Sequence, residues 1–220
     1  MSKILISGYY GFANAGDEAM LTAIIESLRQ VEKNVELTVL SGNPEDTAAK
    51  HQVCSVYRFN PLGIIRAMKD SELIISGGGS LLQDVTSKRS LLYYLSIIGL
   101  GKFFGKKVML FAQGIGPIRA KWARKLTSLV CNEADLITVR DSESAAELIE
   151  MGVKPEKITV TADSVLSLNP VTKECGQYLL QEAGVDLTKP VIGISVRPWS
   201  GDSQCFQVLA EAASKLQQSY

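Results

Sequence analysis

Histidine is nearly missing from this sequence: His51 is the only one in 220 residues. It falls in a polar stretch between candidate strands, away from the strand-end loops, so a catalytic role for it is not expected. Cysteine is scarce too. Cys54, Cys131, Cys175 and Cys205 are scattered with no paired spacing, which gives no disulfide framework and no zinc knuckle. Charge of one sign is not in surplus, with 23 Lys and Arg against 23 Asp and Glu. Nothing global therefore points to nucleic acid. Long apolar runs are missing as well. Leu91–Phe104 is the longest, and at about 14 residues, with Lys102 inside it, it is short of the ~20 needed to span a bilayer. A core helix and a membrane-surface helix both remain open for it, the latter because Lys102, Lys106 and Lys107 cluster at its end. The apolar run at the N-terminus is too short for a signal peptide and reads as a strand.

Several site signatures are also absent. No Gly-Lys-Ser/Thr is present, which rules out a P-loop, and no Gly-x-Gly-x-x-Gly, which argues against a dinucleotide site. There is no Asp-x-Asp for metal-dependent glycosyl transfer and no Gly-x-Ser-x-Gly elbow. No metal site or cofactor is expected.

What is present is an alternation of short apolar runs with helical patterns. Candidate strands are Lys3–Ser7, Val35–Leu40, Val53–Tyr57, Leu73–Ser76, Lys107–Ala112, Leu136–Val139 and Ile158–Thr161. Several are unbroken Val/Ile/Leu runs, as in strands covered on both faces. Candidate helices are Asp17–Gln30, Pro61–Lys69, Lys88–Phe104, Arg119–Asn132 and Ser142–Met151. This order predicts an α/β fold, a doubly wound parallel, Rossmann-like sheet, over residues 1–165. Residues 166–174 read as a linker around Asn169-Pro170. Residues 175–220 carry one more strand, Val191–Ser195, and two helices, Glu174–Ala183 and Cys205–Gln218. One strand and two helices are too little for a core, so a truncated second Rossmann-like domain is expected there.

The chemistry-bearing residues gather after the strands, where open parallel sheets bind ligands. Gly8–Glu18 follows the first strand and contains Gly11, Asn14, Asp17 and Glu18. Asp17 and Glu18 fit helix caps, sugar-hydroxyl ligands or a base. The run Gly77-Gly78-Gly79 follows the fourth strand, with Gln83 and Asp84 beyond it. Three glycines suit either a tight turn or a close backbone approach to ligand. Gln113 and Gly114 follow the fifth strand, and Arg140 ends the sixth. Arg140 is read as either a structural pair with Asp141 or Glu143, or a fork for phosphate or carboxylate. Arg197 holds the equivalent place in the second region.

Five of these segments, in this order, resemble the polysaccharide pyruvyl transferases, and most closely the CsaB-type enzymes of cell-wall assembly. They are Gly8-Tyr9-Tyr10-Gly11 leading to Asn14-Ala15-Gly16-Asp17-Glu18, Gly77-Gly78-Gly79-Ser80-Leu81-Leu82-Gln83-Asp84, Gln113-Gly114-Ile115-Gly116-Pro117, Val139-Arg140-Asp141 and Ser195-Val196-Arg197. The resemblance implies a GT-B-like, two-domain enzyme of which this chain holds the N-terminal domain. It implies transfer of pyruvate from phosphoenolpyruvate, the donor, to a lipid-linked saccharide acceptor. The product implied is a 4,6-ketal on an N-acetylmannosamine of a secondary cell-wall polysaccharide, an anchor for surface-layer proteins. It further implies a cytoplasmic location, leaves peripheral contact with the inner face of the membrane and homo-oligomerisation open, and places a histidine and further basic catalytic residues in the second domain. Arg140 and Asp17 are then the catalytic candidates. Gly11, Asn14, Glu18, Gly77, Gly78, Gly79, Gln83, Asp84, Gln113, Gly114 and Arg197 are the substrate-binding candidates. A sugar-nucleotide glycosyltransferase and a non-catalytic sugar- or phosphate-binding module are the alternatives.

Overall fold

The computed structural model describes residues 1–196 and 203–219. The chain divides into two compact units, Met1–Leu168 and Asn169–Tyr220.

The first unit is built on seven parallel strands: β1 (Lys3–Tyr10), β2 (Glu36–Ser41), β3 (Cys54–Tyr57), β4 (Leu73–Leu82), β5 (Lys107–Ile115), β6 (Leu136–Val139) and β7 (Ile158–Val160). Their spatial order is β3-β2-β1-β4-β5-β6-β7, all pairs parallel. This is the doubly wound, Rossmann-like arrangement, and the order reverses between β1 and β4. Six helices connect the strands: α1 (Ala15–Val31), α2 (Pro44–His51), α3 (Pro61–Asp70), α4 (Lys88–Phe103), α5 (Lys121–Glu133) and α6 (Ser142–Glu150).

The unbroken apolar strands have the reason expected of them. Ile4 and Ile6 of β1 pack with Leu21, Ile24 and Ile25 of α1 on one face. Leu5 packs with Tyr94 and Ile98 of α4 in the core on the other. Full burial of each such side chain contributes about 1.5–3 kcal/mol.

Strand and helix limits depart from the sequence reading in an informative way. β1, β4 and β5 run on through Tyr10, Leu82 and Ile115, so Gly77–Gly79 and Gln113–Gly114 are strand residues, not loop residues. α2 is an additional helix. Only Thr47 of it is buried, which leaves no apolar periodicity to detect. Its start was nevertheless legible: Asn43 caps it and Pro44 opens it.

α4 settles into the core. Leu91, Tyr94, Leu95, Ile97, Ile98 and Gly101 are buried. Lys102 and Lys107 both bind Asp135, at 2.6 and 3.2 Å, and Lys106 donates to the carbonyl of Lys69. These cations pin the helix end to neighbouring elements. No helix among the described residues is long and apolar enough to cross a membrane.

The second unit contains α7 (Lys173–Glu182) and α8 (Ser203–Ser219). The expected strand Val191–Ser195 carries no regular structure. A strand needs a neighbour to complete its backbone hydrogen bonds, and no described residue of this unit offers one. None of residues 169–196 and 205–216 is buried.

Candidate functional site

The carboxyl ends of β1 and β4, on either side of the order reversal, form the crevice where this fold class takes ligands. Around it lie the candidate residues of the first unit, most of them with a definite local partner.

The β1–α1 loop is held by its own polar groups. Asn14 is the α1 N-cap and accepts from the N–H groups of Gly16 and Asp17 at 3.1 and 3.4 Å. Glu18 reaches back and accepts the Gly11 N–H at 2.8 Å. Gly11 has φ +78°, and a Cβ there would run into Ser41 and the backbone of Asn43. Both conformation and space therefore demand glycine at this position. Ala13, with φ +56°, is a non-glycine residue in the left-handed region, held there by the turn.

His51 lies nearer the β1–α1 loop than its place in the sequence suggests. As the last residue of α2 it brings Nε2 to 3.5 Å from Glu18 Oε2, with only 10% of its side chain exposed. The missed helix is the reason: α2 folds what reads as a polar stretch back against α1.

The run Gly77–Gly79 is buried, and what approaches it closely is α1. A Cβ at Gly77 would stand 2.8 Å from Ile24 Cδ1, and one at Gly78 would stand 3.0 Å from Met20. At Gly79 the nearest atom would be Asp17 Oδ1, at 3.1 Å. The close approach anticipated for a ligand is made first by a helix. It brings the Asp17 carboxylate down onto the end of β4.

Gln113 is fully buried between β4 and β5, donating to Ser76 O and Ser76 Oγ at 3.0 and 2.7 Å. Its Oε1 has no hydrogen-bond partner. Gln83 closes a small loop with Thr86 at 2.7 and 3.0 Å. Asp84 accepts the backbone N–H groups of Arg119 and Ala120, each at 2.9 Å, and so caps α5 from a distance. The bonds from Ala120 and Arg119 lower its pKa.

Arg140 lies flat over Gly114. A Cβ at Gly114 would be 2.7 Å from Arg140 Cζ, Nε and Nη2, so glycine makes room for the guanidinium. Its Nη2 donates to Ser80 Oγ at 3.2 Å. Nη1 pairs with Asp163 at 3.3 Å and Nε with Asp141 at 3.4 Å. Glu143 takes no part in these pairs. Asp141 also caps α6, and its bonds from Ser144 depress its pKa. One third of the Arg140 side chain remains exposed. Arg197 lies outside the described residues.

Two features of the crevice were not anticipated. Tyr9 and Phe12 stack with centroids 4.4 Å apart and planes 12° from parallel, both about two-fifths exposed. Behind them is Arg58, only 5% exposed. Its position directly after a strand, between Tyr57 and Phe59, was the available signal. Among the described residues no cluster of three His, Cys, Asp or Glu could hold a metal.

A cavity of about 450 Å³ lies elsewhere, lined by Lys3, Glu36, Tyr57, Arg66 and Asp70 among others. It reaches the amino ends of β1 and β2, which is the wrong end of the sheet for the crevice.

The sequence profile of the family described as Polysaccharide pyruvyl transferase matches residues 14–201. This chain belongs to that family. The match takes in the crevice from Asn14 through Arg140, and residues of the second unit as well. No curated protein matches the chain.

Among solved structures, the chain resembles UDP-GlcNAc 2-epimerase of Neisseria meningitidis bound to UDP-GlcNAc, with a TM-score of 0.59 and 12% identity over 100% of this chain and 63% of that one. It also resembles a glycosyltransferase of Rickettsia africae, at 0.57 and 15% identity over 99% and 58%. A third is HepE of Anabaena in complex with UDP and glucose, at 0.53 and 12% over 84% and 50%. These likenesses establish the Rossmann-like, GT-B-like fold. The pyruvyl transferase family member described here spans between half and two thirds of the length of these structures.

Proposed function

We propose that this chain forms one wall of a pyruvyl transferase site, moving pyruvate from phosphoenolpyruvate to a sugar hydroxyl pair. The observation that carries the reading is the meeting of a carboxylate and a guanidinium on consecutive residues of β4. Asp17 lies against Gly79, and Arg140 is bonded to Ser80. A proton acceptor and an anion holder thus both reach the carboxyl-terminal half of β4. Family membership supports the same reaction.

The chemistry gives each a task. Protonation of the enol carbon of phosphoenolpyruvate makes a methyl group and leaves C2 cationic. One sugar hydroxyl adds to C2 and loses its proton. The C2–O bond to phosphate then breaks, phosphate departs with the bonding electrons, and a second hydroxyl closes the ketal with loss of its own proton. Arg140 steadies the phosphate or carboxylate. Its present partners, Asp141 and Asp163, keep the guanidinium in place until an anion competes for it. Asp17 receives the hydroxyl proton. The exposed Tyr9–Phe12 pair gives the sugar a flat apolar surface to lie on. The acceptor that best suits the family resemblance is an N-acetylmannosamine of a lipid-linked cell-wall precursor, reached from the cytoplasmic side of the membrane.

The test is product analysis. An enzyme carrying both walls of the cleft, this chain being one, is incubated with a saccharide acceptor and either phosphoenolpyruvate or a sugar nucleotide. A ketal-bearing product with equal release of phosphate supports the proposal; glycosyl transfer from the nucleotide supports the glycosyltransferase reading, which the fold also accommodates. Arg140→Ala is expected to abolish transfer without unfolding the chain, because Arg140 is partly exposed. Asp17→Asn is expected to lower the rate at saturating acceptor. A change in Asp17→Asn confined to thermal stability assigns Asp17 to capping alone.

A further inference from the structure

Arg58 is a buried cation with no counter-ion among the described residues. It is 95% buried by its 5% exposure, and none of the ion pairs among the described residues includes it. A guanidinium carries five N–H donors and no acceptor. Here Nη2 makes one long contact with Tyr94 OH at 3.5 Å, while Nε and Nη1 have no hydrogen-bond partner. Burying such a group unpaired is strongly unfavourable.

Its surroundings compensate only in part. Five rings face the guanidinium, with centroids 4.4 Å (Tyr93), 5.1 Å (Phe59), 5.3 Å (Phe12), 5.5 Å (Tyr94) and 6.0 Å (Tyr9) from Cζ. Ring faces attract a cation, but they accept none of the in-plane N–H groups well. Two more polar atoms are stranded in the same neighbourhood. Tyr93 OH and Ser7 Oγ are buried facing each other and the guanidinium, at contacts that fall short of well-formed hydrogen bonds. Burial raises the Tyr93 pKa to about 12, and the nearby Arg58 charge and the Ser7 hydroxyl restrain the rise. Two guanidinium donors and two hydroxyls therefore gather between β1, α4 and the end of β3, and among the described residues no carboxylate is paired with them.

The cover over this group is thin. Tyr9 and Phe12, two of the five rings, are about two-fifths exposed. Both lie in or beside the β1–α1 loop, which turns through Gly11 at φ +78° and Ala13 at φ +56°. Phe12 rests on Gly42, where a Cβ would come within 2.6 Å of its ring.

We propose that Arg58, with Tyr93 and Ser7, forms a second oxyanion site, roofed by the Tyr9–Phe12 stack and opened by displacement of that stack. Its ligand is a phosphate or a carboxylate. In the pyruvyl-transfer reading that group is carried by a substrate; binding of the oxyanion does not depend on that reading. The site is separate from Arg140, which has its own carboxylates.

The experiment follows the Arg58 Nε–H signal in nitrogen-15 NMR of the whole chain, assigned by its disappearance in Arg58→Lys. Sodium phosphate and sodium pyruvate are titrated separately at constant ionic strength, with chloride as the control. A saturable shift with phosphate alone assigns the site to a phosphate, and with pyruvate alone to a carboxylate. No saturable shift with either overturns the proposal. A companion measurement compares anion-dependent melting of the wild type and Arg58→Met, whose side chain fills similar space without charge. The variant is expected to bind the anion roughly tenfold to a hundredfold more weakly. Undiminished anion stabilisation in Arg58→Met also overturns it. If that variant does not fold, the wild-type titration decides alone. In Arg140→Ala the Arg58 response is expected to persist; its loss there refutes a separate site. None of these readouts involves turnover, so failed pyruvyl transfer and failed anion binding are distinguished.

Discussion

Gly77→Ala tests whether the triple glycine of β4 exists for α1. An added methyl group at Gly77 would stand 2.8 Å from Ile24 Cδ1 and 2.8 Å from Tyr10 Oη, where ordinary contact needs about 3.5–4.0 Å. Neither neighbour can swing into water, because Ile24 is 0% and Tyr10 1% exposed. Gly78 and Gly79 sit at φ +34° and +80°, so alanine there would mix backbone strain with crowding. Gly77 is not among the positive-φ residues, and its substitution reads space alone. Overpacking of this kind costs about 1–3 kcal/mol. In a domain of this size that lowers the melting temperature by roughly 2–12 °C. Ile24→Val removes the clashing methyl and costs about 0.5–1.5 kcal/mol by itself. Combined with Gly77→Ala it should restore part of the loss, a coupling of about 0.5–3 kcal/mol. Urea midpoints for the four proteins of the cycle supply the numbers. A Gly77→Ala protein as stable as its parent, with a defect only in binding phosphoenolpyruvate or saccharide, refutes the packing argument and returns the glycines to the ligand.

Asp135 should make the fold acid-sensitive in a defined window. Burial alone would raise its pKa, but bonds from Lys102, the Val108 N–H and Lys107 outweigh that and bring it from 3.8 down to about 2. A depressed carboxylate pKa adds stability that is fully present above the unfolded value and is lost as pH falls through the folded one. Between those two values stability should fall by on the order of 1–2 kcal/mol, discounted for partial exposure; Asp135→Asn should lack that portion of the slope in urea melts. Glu18→Ala should leave the Gly11 N–H without its acceptor, cost about 1–2 kcal/mol and speed hydrogen exchange at residues 10–14. Glu18→Gln keeps an acceptor and should stay near the parent; equal losses in both variants would instead assign the effect to the His51 contact.

The amino-acid pattern alone determined the class of this protein. Unbroken apolar strands alternating with amphipathic helices have one economical packing, a parallel sheet covered on both faces, and β6 was located to the residue. Order of motifs along the chain was sufficient to indicate the family, because glycine-rich runs in or beside strands are local signals. The ends of strands were less legible. β4 and β5 continue through glycines because pairing with a neighbour, Gly79 against Gln113, supplies what local propensity withholds.

Tertiary structure decided what the glycines and charges do. Gly77–Gly79 give way to a helix, Gly114 to the guanidinium of Arg140, and Glu18 serves the Gly11 backbone before any ligand. His51 came beside the β1–α1 loop, and Arg58 into the crevice, only through folding. One arrived on a helix too polar to show periodicity, the other directly after a strand that was located but whose end was not read for a ligand group. Sequence records which groups are available at strand ends. Which of them are already occupied by neighbours, and which remain for a ligand, depends on distances between residues far apart in the chain, and these only the packed sheet sets.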